Sequence, residues 1–170
     1  QLGDAPFAIV KRVVDRVVTV DEAMIALAIL RLIELEKSVV EGAGAAPLAA
    51  FLAGRLDMLK GKRVVLVLAG GNIDSSALGR IIDVGLVADG RLCRFTVTIS
   101  DRPGGLARLA EIIAAAGASI KEIVHDRAFA GPDLSAVRVV CVAETTGHAH
   151  VERLHRALHA AGLPVDADRV

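Results

Sequence analysis

Two short stretches carry residue types that could meet a ligand. In "VLAGGNID", residues 67–74, an apolar run ends in two glycines, an asparagine and the start of a helix. Such a turn brings bare backbone close to a partner, and the free amides of a helix start can hold an anion. A phosphate role is poorly supported, because no Lys-Ser/Thr follows as in a P-loop and no GxGxxG follows the strand. "EGAGAAP" at 41–47 also fails as a dinucleotide fingerprint, since Pro47 stands where the third glycine belongs. Taken alone, residues 67–74 read equally as a ligand turn or as a tight turn for packing.

The second stretch is "DRPGGLARL" at 101–109. Pro103 fixes the turn, Gly104 and Gly105 let the chain approach a ligand, and the helix start offers amides to a carboxylate. His148, Glu152, His155 and His159 share a stripe whose spacing could hold zinc. They flank the apolar face of Val151, Leu154, Leu158 and Ala161, so a solvated or interface face is the favoured reading and no metal site is assigned. His125 at a strand end has a surface role, and Cys93 and Cys141 read as ordinary strand residues.

The elements that must position these residues follow from periodicity. Residues 5–14 read as a helix and 15–20 as a short buried strand. Thr19 and Glu22 have capping-box spacing for a helix running to about Lys37, apolar nearly all round through Ile33. A strand-like Val39-Val40 leads into a Gly/Ala-rich helix. The continuous apolar run 62–69 has the mark of a parallel strand covered on both faces. Ser75 can cap the next helix and Gly85 can end it. Beyond the Asp89-Gly90 turn, strand, helix, strand, strand, helix and a short strand near Val165 give a βαββαβ order. Two modules are therefore expected, meeting near residue 90. The first has too few strands to complete a parallel layer, so it reads as the tail of a larger α/β domain.

Bulk composition narrows the partners. The 170 residues are 54% apolar, with 20 basic and 20 acidic side chains, and the net charge is zero. Nucleic acid and anionic membranes both call for a basic surface, so neither is expected as the main partner. Four Phe without Tyr or Trp make poor base-stacking platforms. Two lone cysteines form no disulfide framework, and a reducing, cytoplasmic setting fits. No apolar run reaches the length of a membrane span, and "QLGDAPF" has no signal-peptide pattern. The first residue is not Met, which points to a cut or processed piece.

The run "VVEGAGAAPLAAFLAGR…GKRVVLVLAGGNID" resembles the carboxyl end of the catalytic domain of threonine and serine dehydratases. These are pyridoxal-phosphate enzymes of the tryptophan-synthase-β fold group. The resemblance reaches upstream through "VKRVVDRVVTVDEAMIALAIL" and downstream through "LGRIIDVGLVADGRLCRFTVTISDRPGGLARL" into an ACT regulatory domain. It implies an α/β chain with a partial three-layer segment of the type II pyridoxal-phosphate fold at 1–88. A ferredoxin-like βαββαβ ACT domain would follow at 91–170.

By that resemblance Ala69, Gly70, Gly71 and Asn72 lie at the cofactor's nitrogen edge, with Glu41 near the same ring. The family usually has Ser or Cys where this chain has Ala69, and a methyl group forms no hydrogen bond. The family's Schiff-base lysine stands in a Ser-Phe-Lys type motif that these 170 residues lack, as they lack its ring and phosphate loops. The resemblance therefore implies a partner portion that supplies them, and a chain inactive alone. Asp101, Pro103, Gly104, Gly105 and Leu106, with Ser119 and Ile120 from the next strand, would bind an amino-acid effector between paired ACT copies. Ser119 stands where the family often has Asn. The implied parent is a homo-oligomeric, allosterically regulated threonine ammonia-lyase converting L-threonine to 2-oxobutanoate and ammonia. The alternative is a non-catalytic, amino-acid-binding or dimerising ACT protein.

Overall fold

A computed structural model describes residues 3–127 and 135–167, which divide into two compact units, 1–75 and 76–170. The first unit contains α1 (Asp4–Val13), α2 (Glu22–Arg31), which continues as a π turn over Leu32–Glu36, and α3 (Gly42–Leu52). A 3₁₀ turn spans Asp57–Leu59, and α4 (Ser75–Ala88) begins at the division. The second unit runs β1 (Leu92–Ser100), α5 (Gly105–Ala115), β2 (Ser119–Asp126), β3 (Ala136–Glu144), α6 (His148–Ala160) and β4 (Val165–Ala167).

In the first unit α2 packs on α3 through Ala26, Ala28, Ile29 and Leu30 from one helix and Gly44, Ala45, Ala49 and Ala50 from the other. Small residues on both faces let the two backbones approach closely. The helix start differs from the capping-box expectation. Asp21, not Thr19, is the N-cap, and its carboxylate accepts from the Met24 amide at 2.8 Å. Asp21 has the same three-residue reach and starts the helix two residues later. The far end stops at Lys37, whose φ of 54° is left-handed and whose amide donates to the Leu32 carbonyl.

Three expected strands are not formed. Residues 15–20, Val39-Val40 and 62–69 belong to no sheet among the described residues. The run 64–67 alternates half-buried and exposed, with Val65 87% and Val67 70% exposed. Among the described residues no strand pairs with this run, and a parallel strand exists only through its ladder.

The second unit follows the expected order. Its four-stranded sheet runs β2-β3-β1-β4, with every neighbouring pair antiparallel. Side chains alternate along β1, so Phe95, Val97 and Ile99 meet Val137, Val139 and Cys141 beneath α5 and α6. Leu109 and Ile113 from α5 and Leu154 and Leu158 from α6 complete this core and are fully buried. Burial pushes the Cys141 thiol up to about 11 and raises Cys93 as well. α4 runs three residues past Gly85, which is buried inside it. Its end is bound to this unit, because Lys121 reaches Asp83 at 2.8 Å and His148 Nε2 meets the Ala88 carbonyl at 3.1 Å. Among the described residues no helix is long and apolar enough to cross a membrane. The ends of the expected strands at 128–129 and Leu134 lie outside the described residues.

Leu154 is the most direct probe of this core. Leu154→Ala removes fully buried methyl groups and is expected to cost about 2–5 kcal/mol. Chemical denaturation of the second unit measures it, and an unchanged midpoint would contradict the packing described.

Candidate functional site

The glycine turn at 69–72 and the start of α3 touch. The Glu41 amide donates to the Gly70 carbonyl at 3.2 Å. A β-carbon added at Gly44 would fall on the Ala69 carbonyl oxygen, so only glycine lets α3 approach there. Gly70 has φ 89°, and a β-carbon on it would lie 2.5 Å from Glu41 Oε1. The Glu41 carboxylate therefore lies over the Gly70 α-carbon. Glu41 is the N-cap residue of α3, yet its side chain does not cap the helix. Ala69, Gly70, Gly71 and Asn72 are all exposed, so this backbone is open to a ligand. Of the five residues expected here, the structure brings Glu41 directly to Gly70, and α3 through Gly44 to Ala69. Asn72 follows in the same turn, where the Ile73 amide donates to the Gly71 carbonyl.

In the second unit, Pro103, Gly104 and Gly105 line a cavity of about 230 Å³ together with Ile99, Ser100, Arg102, Arg108 and Leu163. Gly104 has φ 94°, and a β-carbon at Gly105 would strike the Ser100 carbonyl oxygen. No side chain caps the start of α5. Arg108 ties it to the end of α6 by donating to the Ala161 carbonyl at 3.2 Å. Leu106 is 40% exposed on the first turn.

Asp101 is already engaged. Arg127 donates to both its oxygens, at 2.7 and 3.0 Å, and His125 Nε2 stands 3.9 Å away. The Arg127 hydrogen bond and charge hold the Asp101 carboxyl below the usual carboxylate range. Sequence reading missed Arg127, because no local period links residues 26 positions apart.

Ser119 and Ile120 lie at the other end of the sheet. Ser119 pairs with Glu144, which pairs with Leu92 at the start of β1, whereas the 101–105 loop follows its end at Ser100. Eight strand steps separate the two levels, roughly 25 Å. Within one chain they form no common site.

The histidine stripe resolves into separate roles, and among the described residues no group of three or more metal-ligating side chains is placed to hold an ion. His155 packs edge-on against Phe95, and burial lowers its pKa. His150, which sequence reading passed over, is buried. Its Nδ1 accepts from the Thr146 amide at 3.1 Å, leaving Nε2 to donate to the Ala116 carbonyl at 2.9 Å. Its position four residues before Leu154, on the core face of α6, was the available signal.

Comparison with known proteins bears on both units. Residues 1–70 match the family model described as pyridoxal-phosphate dependent enzyme. An L-threonine ammonia-lyase of Geobacter sulfurreducens is 45% identical over 164 residues, covering 96% of this chain and 40% of that protein. The L-threonine ammonia-lyase of Thermotoga maritima is 42% identical over 163 residues, with the same coverage. Among solved structures, prephenate dehydratase from Streptococcus mutans aligns with 46% of this chain and 42% of its own, at 13% identity and a TM-score of 0.36, too slight a likeness to define the fold. Residues 1–70 are thus similar to the pyridoxal-phosphate dependent enzymes. The chain as a whole is a relative of the L-threonine ammonia-lyases and spans about 40% of their length.

Two outcomes follow from this geometry. Gly70→Ala forces a side chain into left-handed backbone against Glu41 and is expected to cost about 1–3 kcal/mol of first-unit stability. Loss of helical circular dichroism at lower denaturant measures it; parental stability would contradict the contact. Asp101 gains stability above its unfolded pKa and loses it as pH falls through its depressed folded value. Asp101→Asn should therefore lower the second unit's melting temperature slightly at pH 7, and the gap should close below about pH 4. A gap independent of pH would contradict the Asp101–Arg127 pair.

Proposed function

We propose that this chain is the carboxyl-terminal portion of a cytoplasmic threonine ammonia-lyase, which converts L-threonine to 2-oxobutanoate and ammonia. The observation that carries this reading is the likeness to L-threonine ammonia-lyases, which runs through both units rather than stopping at residue 70. The first unit would be part of a pyridoxal-phosphate domain of type II fold, and the second a ferredoxin-like ACT domain. The reading assigns 1–88 and 91–170 to these two modules, with α4 as the last catalytic-domain helix.

The residues of the 69–72 turn fit the cofactor. The turn is exposed, its glycines carry no β-carbon to obstruct a flat ring, and a carboxylate lies over it. Glu41, Ala69, Gly70, Gly71 and Asn72 would form the wall at the ring's nitrogen edge. When bound, pyridoxal phosphate supplies an electron sink for loss of the substrate's α-proton. Gly70 and Gly71 would set how closely the ring approaches the backbone, Ala69 would add only a methyl group, and Glu41 would supply negative charge. The Schiff-base lysine and phosphate loop would come from the remainder of the parent protein.

The 101–108 cavity would receive the carboxylate of an amino-acid effector at the uncapped start of α5. Asp101, Pro103, Gly104, Gly105 and Leu106 would act with Ser119 and Ile120 of a second copy, because one chain holds the two groups about 25 Å apart. The free edge of β2 offers a surface for such pairing. One observation favours the alternative, a non-catalytic amino-acid-binding or dimerising protein: Ala69 offers no hydrogen bond where the reading puts the ring nitrogen.

The test uses the full-length protein with added pyridoxal phosphate. The expected results are a bound-cofactor absorption band, 2-oxobutanoate formed from L-threonine, and calorimetric binding of at least one of isoleucine, valine, threonine and serine. Amino-acid binding without cofactor or 2-oxo acid would overturn the enzyme reading in favour of the alternative. Failure of all four amino acids to bind would remove the effector role.

A further inference from the structure

Arg102 and Arg108 line the cavity beside the start of α5, and among the described residues no acidic side chain lines it. Their backbones are tied to one turn. The Gly105 amide donates to the Arg102 carbonyl at 3.1 Å, and the Arg108 amide donates to the Gly104 carbonyl at 2.9 Å. The two side chains thus leave the chain just before and one turn after the start of α5. Neither guanidinium is paired with an acid. Among the described residues no hydrogen bond or ion pair engages the Arg102 side chain. The neighbouring carboxylate, Asp101, gives both its oxygens to Arg127 instead. Arg108 donates through Nη2 to the Ala161 carbonyl at 3.2 Å, a neutral acceptor, and its Nε and Nη1 make no hydrogen bond among the described residues. Ile99 and Leu163 give the same cavity an apolar side. Two cations that share one small cavity repel each other, and an anion between them relieves both.

We propose that Arg102 and Arg108 form a two-guanidinium clamp for the carboxylate of an amino acid in this cavity, with Arg108 exchanging the Ala161 carbonyl for it. The inference rests on the effector reading given under Proposed function and names the side chains that would carry it. A carboxylate is a better acceptor than a backbone carbonyl, because charge-assisted hydrogen bonds are shorter and about twice as strong as neutral ones. The planar fork of a guanidinium also matches two carboxylate oxygens. The exchange breaks one hydrogen bond to Ala161, forms new ones to the carboxylate and moves no proton. Ala161 is the C-cap of α6, so the same exchange would release the end of that helix from α5. The clamp selects for charge. A carboxamide keeps the shape and the ammonium group of an amino acid but loses the negative charge and one acceptor.

The experiment is calorimetry on the full-length protein with isoleucine, valine, threonine and serine, each beside its carboxamide. In the parent, an amino acid that binds is expected to bind at least about tenfold more tightly than its carboxamide. Arg102→Met and Arg108→Met should each weaken the amino acid about tenfold and leave the carboxamide nearly unchanged, so the ratio between the two shrinks. Arg108→Lys keeps a cation and should restore part of it. General damage to the fold would weaken both compounds alike and leave the ratio intact. A carboxamide that binds the parent as tightly as its amino acid, or a ratio unchanged in both Met variants, would overturn the proposal. Should Arg108→Met fail to fold, Arg102→Met and the parent ratio still decide. Binding of none of the four amino acids would defeat the effector reading and the clamp with it, whereas binding indifferent to both arginines would defeat the clamp alone.

Discussion

The first unit depends on how closely a helix start can approach a chain turn. Gly44 lets α3 rest on the Ala69 carbonyl, and Gly70 leaves room for the Glu41 carboxylate. Either contact would fail with one added carbon atom. The small residues along the α2–α3 contact place the first turn of α3 where it meets the 69–71 backbone. A helix, a glycine turn and one carboxylate are thereby held in register by two glycines and a single backbone hydrogen bond. The turn stays open toward solvent.

The second unit is organised on a different principle. Its sheet pairs every strand within the chain, and its core closes under two helices. It needs no further strand to satisfy its ladder, in contrast to residues 62–69 of the first unit. The difference suits a division of labour. One unit leaves a glycine turn and a carboxylate open at its surface, while the other folds around its own core and presents a loop, a cavity and a strand edge. The opposite placement of the 101–105 loop and Ser119 makes pairing of copies a geometric condition for joining them.

Much of this was legible in the sequence, for identifiable reasons. The alternation in residues 94–100 and the apolar spacing in 105–115 report local geometry, so the βαββαβ order could be read directly. Glycines at 70 and 105 marked close approaches that the structure contains, whereas Gly104 supplies a left-handed φ beside open space. Strand 62–69 was misread because an apolar run reports a preference for burial, whereas a parallel strand also needs a ladder, and among the described residues none pairs with it. Thr19 was mistaken for the cap because Asp21 offers the same spacing two residues later. Arg127 was invisible as a partner, since an ion pair between distant segments leaves no periodic trace, whereas the burial of His150 was signalled by its spacing from Leu154 and only its partner Ala116 was not. The roles assigned to residues 41 and 69–72 came from family resemblance; composition alone left that turn ambiguous.

The central claim is spatial: the 69–72 turn and Glu41 border a bound cofactor ring in the complete protein. A crystal structure of the full-length protein with pyridoxal phosphate tests it most directly. The account predicts the ring's nitrogen edge within contact distance, about 4 Å, of the Gly70-Gly71 backbone. A ring bound elsewhere, with this turn facing bulk water or packed against another element, would contradict it.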